Sequence, residues 1–246
     1  DVATFSGGNV AVFVTEEHGV VVVDSKLPGY GQQIVDQIRT VTDEPITTML
    51  HSHAHNDHSG STPGFPVPVE TITHENIKAA WSATECASYI DCDEYKGDGS
   101  RFLPARTFSD RMSLFSGNDR IELYHFGRGH TNGDTFIVFP SIRVMHSGDL
   151  FAMKRPPFID VSNGGSGLAF PETLSRAVEG ISGVDTIIPG HAPELFTWAD
   201  LEQYAEWHRH FVEMAKGAKA AGKSAEQAAN EYVIPARFAG YTRSGP

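Results

Sequence analysis

Four of the chain's 12 histidines fall within eight residues, His51-Ser52-His53-Ala54-His55-Asn56-Asp57-His58. The segment follows Ile46–Leu50, a short apolar run after Pro45 that reads as a buried strand. A strand running straight into His53, His55, Asp57 and His58 has little packing use for three imidazoles and a carboxylate. Those are donors that suit Zn²⁺, and also Fe or Mn. The feature calls for a fold in which a strand ends at a polar loop and a rigid scaffold holds that loop in place.

The rest of the chain repeats the arrangement. Val10–Val14 and Val20–Asp24 read as a hairpin around Glu16-Glu17-His18-Gly19. A helix is expected after Gly29, with Ile34, Val35 and Ile38 on one face. Further strands are expected near Arg111–Phe115, Ile121–Tyr124, Thr135–Phe139, Ile142–His146 and Thr186–Ile188. Pro171 suits the first turn of a helix carrying Leu174, Ala177 and Val178. Thr197 and Asp200 form a capping-box pair at the start of a long helix. Its buried face would carry Leu201, Tyr204, Ala205, His208, Phe211, Val212 and Ala215. Strands and helices interleave over 246 residues with no composition shift, which predicts an α/β protein of one domain, residues 1–246, with C-terminal helices from about residue 198. No apolar run approaches the ~18 residues of a membrane span, and a net charge of −12 makes a poor partner for nucleic acid or anionic lipid. A small-molecule substrate is expected instead, with no nucleic-acid or membrane partner. Oligomeric state is left open.

Glu75–Ser88 reads as helical and residues 91–106 as a long loop. Cys86 and Cys92 lie six apart across that junction. A regular helix would not bring them within disulfide reach, so free thiols are expected, although a bent loop would permit the bond. The chain begins at Asp1, which leans weakly toward an exported protein with its leader removed.

Three more candidate ligands follow later strands: His130 in Gly127-Arg-Gly-His-Thr-Asn-Gly-Asp134, Asp149 in His146-Ser-Gly-Asp149, and His191 in Ile187-Ile-Pro-Gly-His191. In order, HxHxDH…H…D…H resembles the metallo-β-lactamase superfamily, from about Val10 to Leu201. The resemblance implies a four-layer αββα sandwich. It implies that His53, His55 and His130 hold one metal, that Asp57, His58 and His191 hold a second, and that Asp149 bridges them. Two Zn²⁺ are the implied cofactors, with a bridging hydroxide attacking a lactone, ester, thioester or amide. Asp57 and Asp149 are the implied catalytic carboxylates, Asp57 orienting the hydroxide.

True β-lactamases of this pattern usually carry Cys or Ser where Asp149 stands, so the bridging Asp looks more like the glyoxalase II and lactonase branches. Two alternatives stay open: a β-lactamase, at least a promiscuous one, and a metal- or ligand-binding protein on the same fold without turnover. Candidate substrate contacts are Phe65 and Trp81 on one side and Lys154, Arg155 and Asn163 on the other. Lys154 or Arg155 could meet a substrate carboxylate, and Asn163 could donate to a developing oxyanion. Ser52, Thr131 and Asp134 are candidates for supporting the ligands.

Overall fold

The computed structural model describes residues 6–242. One sheet has five strands in the spatial order β1 (Ala11–Val14), β2 (Val20–Val23), β3 (Ile46–Leu50), β4 (Glu70–His74) and β5 (Arg106–Phe108). The second has six: β6 (Arg111–Leu114), β7 (Ile121–Tyr124), β8 (Phe136–Phe139), β9 (Val144–Gly148), β10 (Thr186–Pro189) and β11 (Phe196–Thr197). Each is hydrogen-bonded to the next in chain order. Among the described residues six α-helices accompany them: α1 (Gly31–Arg39), α2 (Asn56–Ser59), α3 (Glu75–Trp81), α4 (Phe170–Gly180), α5 (Trp198–Ala220) and α6 (Ala225–Glu231).

Three apolar layers show why the sheets stack. Successive side chains of a strand point to opposite faces. In the all-valine β2, Val20 and Val22 therefore pack with Ile34, Val35 and Ile38 of α1 and Ile77 and Trp81 of α3. Val21 and Val23 pack instead against the other sheet, meeting Leu123, Ile137 and Phe139. The second sheet mirrors this: Phe136 and Val138 face Leu174 and Ala177 of α4 and Leu201 and Tyr204 of α5, while Ile137 and Phe139 face the first sheet. Strands apolar on both faces are what a sheet covered on both sides requires. The layers are helix, sheet, sheet, helix, as the resemblance implied. Each fully buried Val, Leu, Ile or Phe contributes about 1.5–3 kcal/mol.

The helix expected over Glu75–Ser88 stops at Trp81. The chain then bends, Tyr89 takes a left-handed φ of 64°, and Cys86 and Cys92 come to a Cα separation of 5.3 Å and form a disulfide. The expectation of free thiols assumed a continuing helix, and it fails with that helix. The strands β4, β5 and β11 were not anticipated, being short segments without clean alternation. The capping box of Thr197 and Asp200 is present at the start of α5.

Candidate metal centre

The candidate ligands come from the loops and short helical turns at one end of the sandwich, Asp57 and His58 from α2. His53, His55, Asp57 and His58 follow β3, His130 precedes β8, Asp149 follows β9 and His191 follows β10. The parallel pairing of β9 and β10 shifts register between Ile188 and Pro189, a local irregularity that re-aims the chain just before His191. Two glycines permit the close approach. Gly148 has φ 49° directly before Asp149. A Cβ on Gly190 would stand 2.0 Å from Asp149 Oδ1.

The ligand atoms fall into overlapping groups. His53, His55 and His130 converge on one point, Asp57, His58 and His191 on another, and His53, His58 and Asp149 between them. Asp149 Oδ1 lies 3.3 Å from His58 Nε2. Its Oδ2 lies 3.3 Å from His191 Nε2 and 3.6 Å from His130 Nε2. The seven residues are therefore brought together with Asp149 between the two groups.

The proton positions are set from behind. His55 Nε2 meets Asp160 Oδ2 at 2.8 Å, and His130 Nδ1 meets the Phe158 carbonyl at 2.7 Å. Each of those acceptors takes the ring's N–H. The facing atoms, His55 Nδ1 and His130 Nε2, are then lone pairs 2.9 Å apart. Ser52 Oγ donates to Asp24 Oδ2 at 2.7 Å and so accepts from His53 Nδ1 at 3.0 Å. This leaves the buried His53 Nε2 without a partner. Burial and the surrounding imidazoles hold His53 well below its usual pKa, so it is neutral. Converging lone pairs repel unless a cation lies among them. Tetrahedral zinc, with Zn–N of about 2.0–2.1 Å, sets ligand nitrogens about 3.3 Å apart. The donor set fits such an ion.

The second group shows the same demand through charge. Burial would lower His58, but Asp149, Asp57 and Asp24 outweigh it and raise its pKa well above the usual value. Burial likewise opposes charge on His191, but the Asp149 and Asp57 carboxylates raise it to about 9. His58 Nδ1 rests on Asp24 at 2.8 Å. Burial would raise Asp24 itself, yet the imidazoles of His51 and His58 hold it well below the carboxylate range. The carboxylates of Asp57 and Asp149, with Asp24 behind His58, call for positive charge, and a divalent cation would supply it in place of protons.

A cavity of about 540 Å³ opens over these groups, lined by His55, Asp57, His130, Asp149, Arg155 and His191 among others. Of the anticipated substrate contacts, only Arg155 lies on its wall. Phe65 and Trp81 are buried beneath the ligand loop, in the layer under the first sheet. The Trp81 indole N–H donates to the Ala54 carbonyl at 3.2 Å and props that loop. Lys154 turns away to pair with Asp200 Oδ1 at 2.5 Å, at the cap of α5. Asn163 is held by the Ser88 carbonyl and by Asp160. Polar partners closer than the cavity claim both side chains.

Among the supporting candidates, Ser52 touches a ligand ring, whereas Asp134 accepts from Thr131 within the His130 loop and reaches no ligand ring among the bonds described. His51 lies outside the ligand groups, its Nδ1 3.6 Å from Asp24. Asp24 and Asp160 were missed as supports. Asp24 ends the second strand of the first hairpin and Asp160 lies three residues before Asn163, but neither has a spacing that ties it to its imidazole. Tyr89, between the two cysteines, was also missed. It lines the cavity with its ring 5.7 Å from that of His55.

The family model described as the metallo-beta-lactamase superfamily matches residues 3–191. The chain is 23% identical over 197 residues to a metallo-beta-lactamase type 2 of Bacillus cereus, covering 76% of this chain and 69% of that protein. It is 25% identical over 152 residues to one of Elizabethkingia meningoseptica, covering 59% and 54% respectively. Among solved structures, a metallo-beta-lactamase from Pontibacter korlensis matches with a TM-score of 0.64 at 15% identity, over 82% of this chain and 94% of that one. A stereoselective inverting sec-alkylsulfatase from Pseudomonas sp. matches with a TM-score of 0.74 at 13% identity, over 94% of this chain but 43% of the other. At those identities the solved structures speak to fold alone. The family match runs from before the first hairpin to His191, across every strand that carries a ligand loop, and the chain belongs to the metallo-β-lactamase superfamily.

Proposed function

We propose that this protein is a dinuclear metal-dependent hydrolase acting on a carbonyl compound: a lactone, ester, thioester or amide. His53, His55 and His130 would hold one ion, Asp57, His58 and His191 the other, and Asp149 would serve both. The observation that carries this reading is the convergence of imidazole lone pairs, each ring's proton held from behind by Asp160, Phe158 or Ser52. Nitrogen and carboxylate donors favour zinc, with Fe and Mn as the other candidates. When bound, such ions polarise a carbonyl and bring the pKa of water near 7.

The chain's own residues supply the rest. Asp57 is part-exposed, with its Oδ2 3.3 Å from His191 Nε2; burial would raise its pKa, but His58 and His191 lower it, so as a carboxylate it can accept and orient an O–H of the attacking water. Arg155 can take a negative group of the substrate, and Tyr89 and Phe158 cover the His55–His130 side. The disulfide is in keeping with an exported location.

The names of the curated relatives favour a second reading, β-lactam hydrolysis. A panel of a chromogenic cephalosporin, a lactone and a thioester, run with zinc-loaded protein and Asp149→Ala, tests both. Turnover of the lactone or thioester in the range of about 10⁴–10⁸ M⁻¹s⁻¹, lost with the zinc in Asp149→Ala, is expected. Equal efficiency on the cephalosporin would establish the second reading. Full activity in Asp149→Ala would overturn the dinuclear centre.

A further inference from the structure

Two residues just before β1 reach the metal centre from outside it. The Gly8 N–H donates to the Asp57 carbonyl at 2.8 Å. A Cβ on Gly8 would stand 2.1 Å from His58 Cε1, so only a glycine fits against that ring. Asn9 spends its donors on the segment around His191. Its backbone N–H donates to the Gly190 carbonyl at 2.7 Å. Its side-chain amide has two hydrogens, and these go to the Pro189 carbonyl at 2.8 Å and the Ala192 carbonyl at 2.9 Å. One residue therefore holds carbonyls on both sides of His191.

The Asn9 carbonyl turns to His146, whose Nε2 lies 3.1 Å away. The Gly148 N–H donates to His146 Nδ1 at 3.2 Å. Nδ1 must then carry the lone pair, so the proton sits on Nε2 and is donated to Asn9. This imidazole is fully buried, and both of its nitrogens are used. Gly148 immediately precedes Asp149, so the bond from its N–H ties down the peptide from which that carboxylate departs. Lys26 anchors the segment from the other side. It is 7% exposed, and its Nζ donates to the Gly8 carbonyl at 2.8 Å. A lysine so buried needs a partner, and the Gly8 carbonyl is one.

Gly8 and Asn9 thus reach all three members of the second ligand group and Asp149. Asp57 and His58 are met by Gly8, the His191 segment by Asn9, and Asp149 through His146 and Gly148. The first group is backed by other residues: Ser52, Asp160 and the Phe158 carbonyl. The sheet alone does not set the second site, because the β9–β10 ladder shifts register between Ile188 and Pro189, just before the ligands leave it.

We propose that Asn9 and His146 are positioning residues of the second metal site, which set the distance between Asp149 and His191. This role rests on the dinuclear reading and deepens it: the second ion depends on a segment that the first does not need.

Chelator competition against the zinc-loaded protein, resolving two dissociation constants, tests the role. Asn9→Leu keeps the size of the side chain, adds no charge, and leaves the Pro189 and Ala192 carbonyls without their donor. It should weaken the second zinc about 10–100-fold and leave the first unchanged. Asn9→Ala makes the same test if the leucine variant does not fold. His146→Phe removes both imidazole bonds and should also weaken the second zinc selectively. His146→Asn, whose Oδ1 can replace Nδ1 as the acceptor for Gly148, should recover part of that loss. A merely structural role would lower Tm and loosen both ions together. Equal weakening of both ions, an unchanged second ion in the Asn9 and His146→Phe variants, or no recovery in His146→Asn overturns the positioning role. Each of those results leaves the dinuclear reading in place as long as the unmodified protein holds two zinc ions. Fewer than two in the unmodified protein overturns that reading, and the positioning role with it.

Discussion

The two ligand groups attract a cation by different physics. His53, His55 and His130 are imidazoles only, with residue exposures of 1%, 4% and 1%. Burial lowers the pKa of His53 and of His55, so a cation there meets neutral lone pairs aimed by hydrogen bonds behind them. Asp57, His58 and His191 include a carboxylate, and the Asp57 and His191 side chains are 29% and 28% exposed. Carboxylates raise both imidazoles of that group, so a cation there answers a charge that protons otherwise balance. Orientation dominates in the first group and charge in the second. The more open second group should release its ion first to a chelator.

The largest effect should come from removing a ligand. His130→Ala and His191→Ala should each reduce zinc from two per chain to one, measured by elemental analysis, and lower hydrolysis by more than the roughly 10–100-fold typical of an outer-shell change. If His191→Ala keeps two zinc ions, the second group does not depend on that imidazole and the contrast collapses.

Changes behind the ligands should be smaller and selective. Asp160 is bonded to His55 and is held at a pKa of about 2: burial would raise it, but Ser162, Asn163 and His55 outweigh that. Asp160→Asn should weaken zinc at the first group about 10–100-fold, while Asp24→Asn should act mainly on the second through His58. Competition titrations with a chromophoric chelator would separate the two affinities. Equal losses at both sites in either variant would show that the groups act as a single unit.

The smallest effect concerns a buried imidazole with no ligand role. His208, on α5, donates Nδ1–H to the Tyr204 carbonyl at 2.9 Å, and burial lowers its pKa to about 4. The folded protein keeps it neutral while the unfolded chain protonates it below about 6.5. Stability is therefore fully present above that value and falls as pH drops toward 4, with a slope of at most about 1.4 kcal/mol per pH unit. Denaturant melts from pH 7 to 4 should show this slope reduced in His208→Gln. An unchanged slope would place the acid sensitivity in the ligand groups instead.

Much of the scaffold was legible along the chain because local physics sets it. β3 and β7 lie where apolar runs placed them, and the Thr197–Asp200 box starts α5. Of the seven candidate ligands, His53, His55, Asp57 and His58 stood out because a dense run of His and Asp after a buried strand has no ordinary packing use, whereas His130, Asp149 and His191 were singled out only by the family pattern; the structure brings all seven together. Lys154 and Asn163 were misplaced for a physical reason. Being near a ligand in the chain does not tell whether a closer carboxylate or carbonyl will claim the side chain, and Asp200 and Ser88 did so. Phe65 and Trp81 flank the motif in sequence but lie beneath it, because their apolar surface completes the helix-side core.

By itself the sequence determined most of the strands and the long helices, the segments that carry the candidate ligands and the excess of acidic charge, all of them properties of residue type and short-range spacing. Only the tertiary structure decided which acceptors stand behind the imidazoles and that Cys86 meets Cys92. Those outcomes depend on contacts between residues far apart in the chain, such as His55 with Asp160, or on how a loop bends, as between the cysteines. Periodicity and composition carry no information about either until the layers have packed.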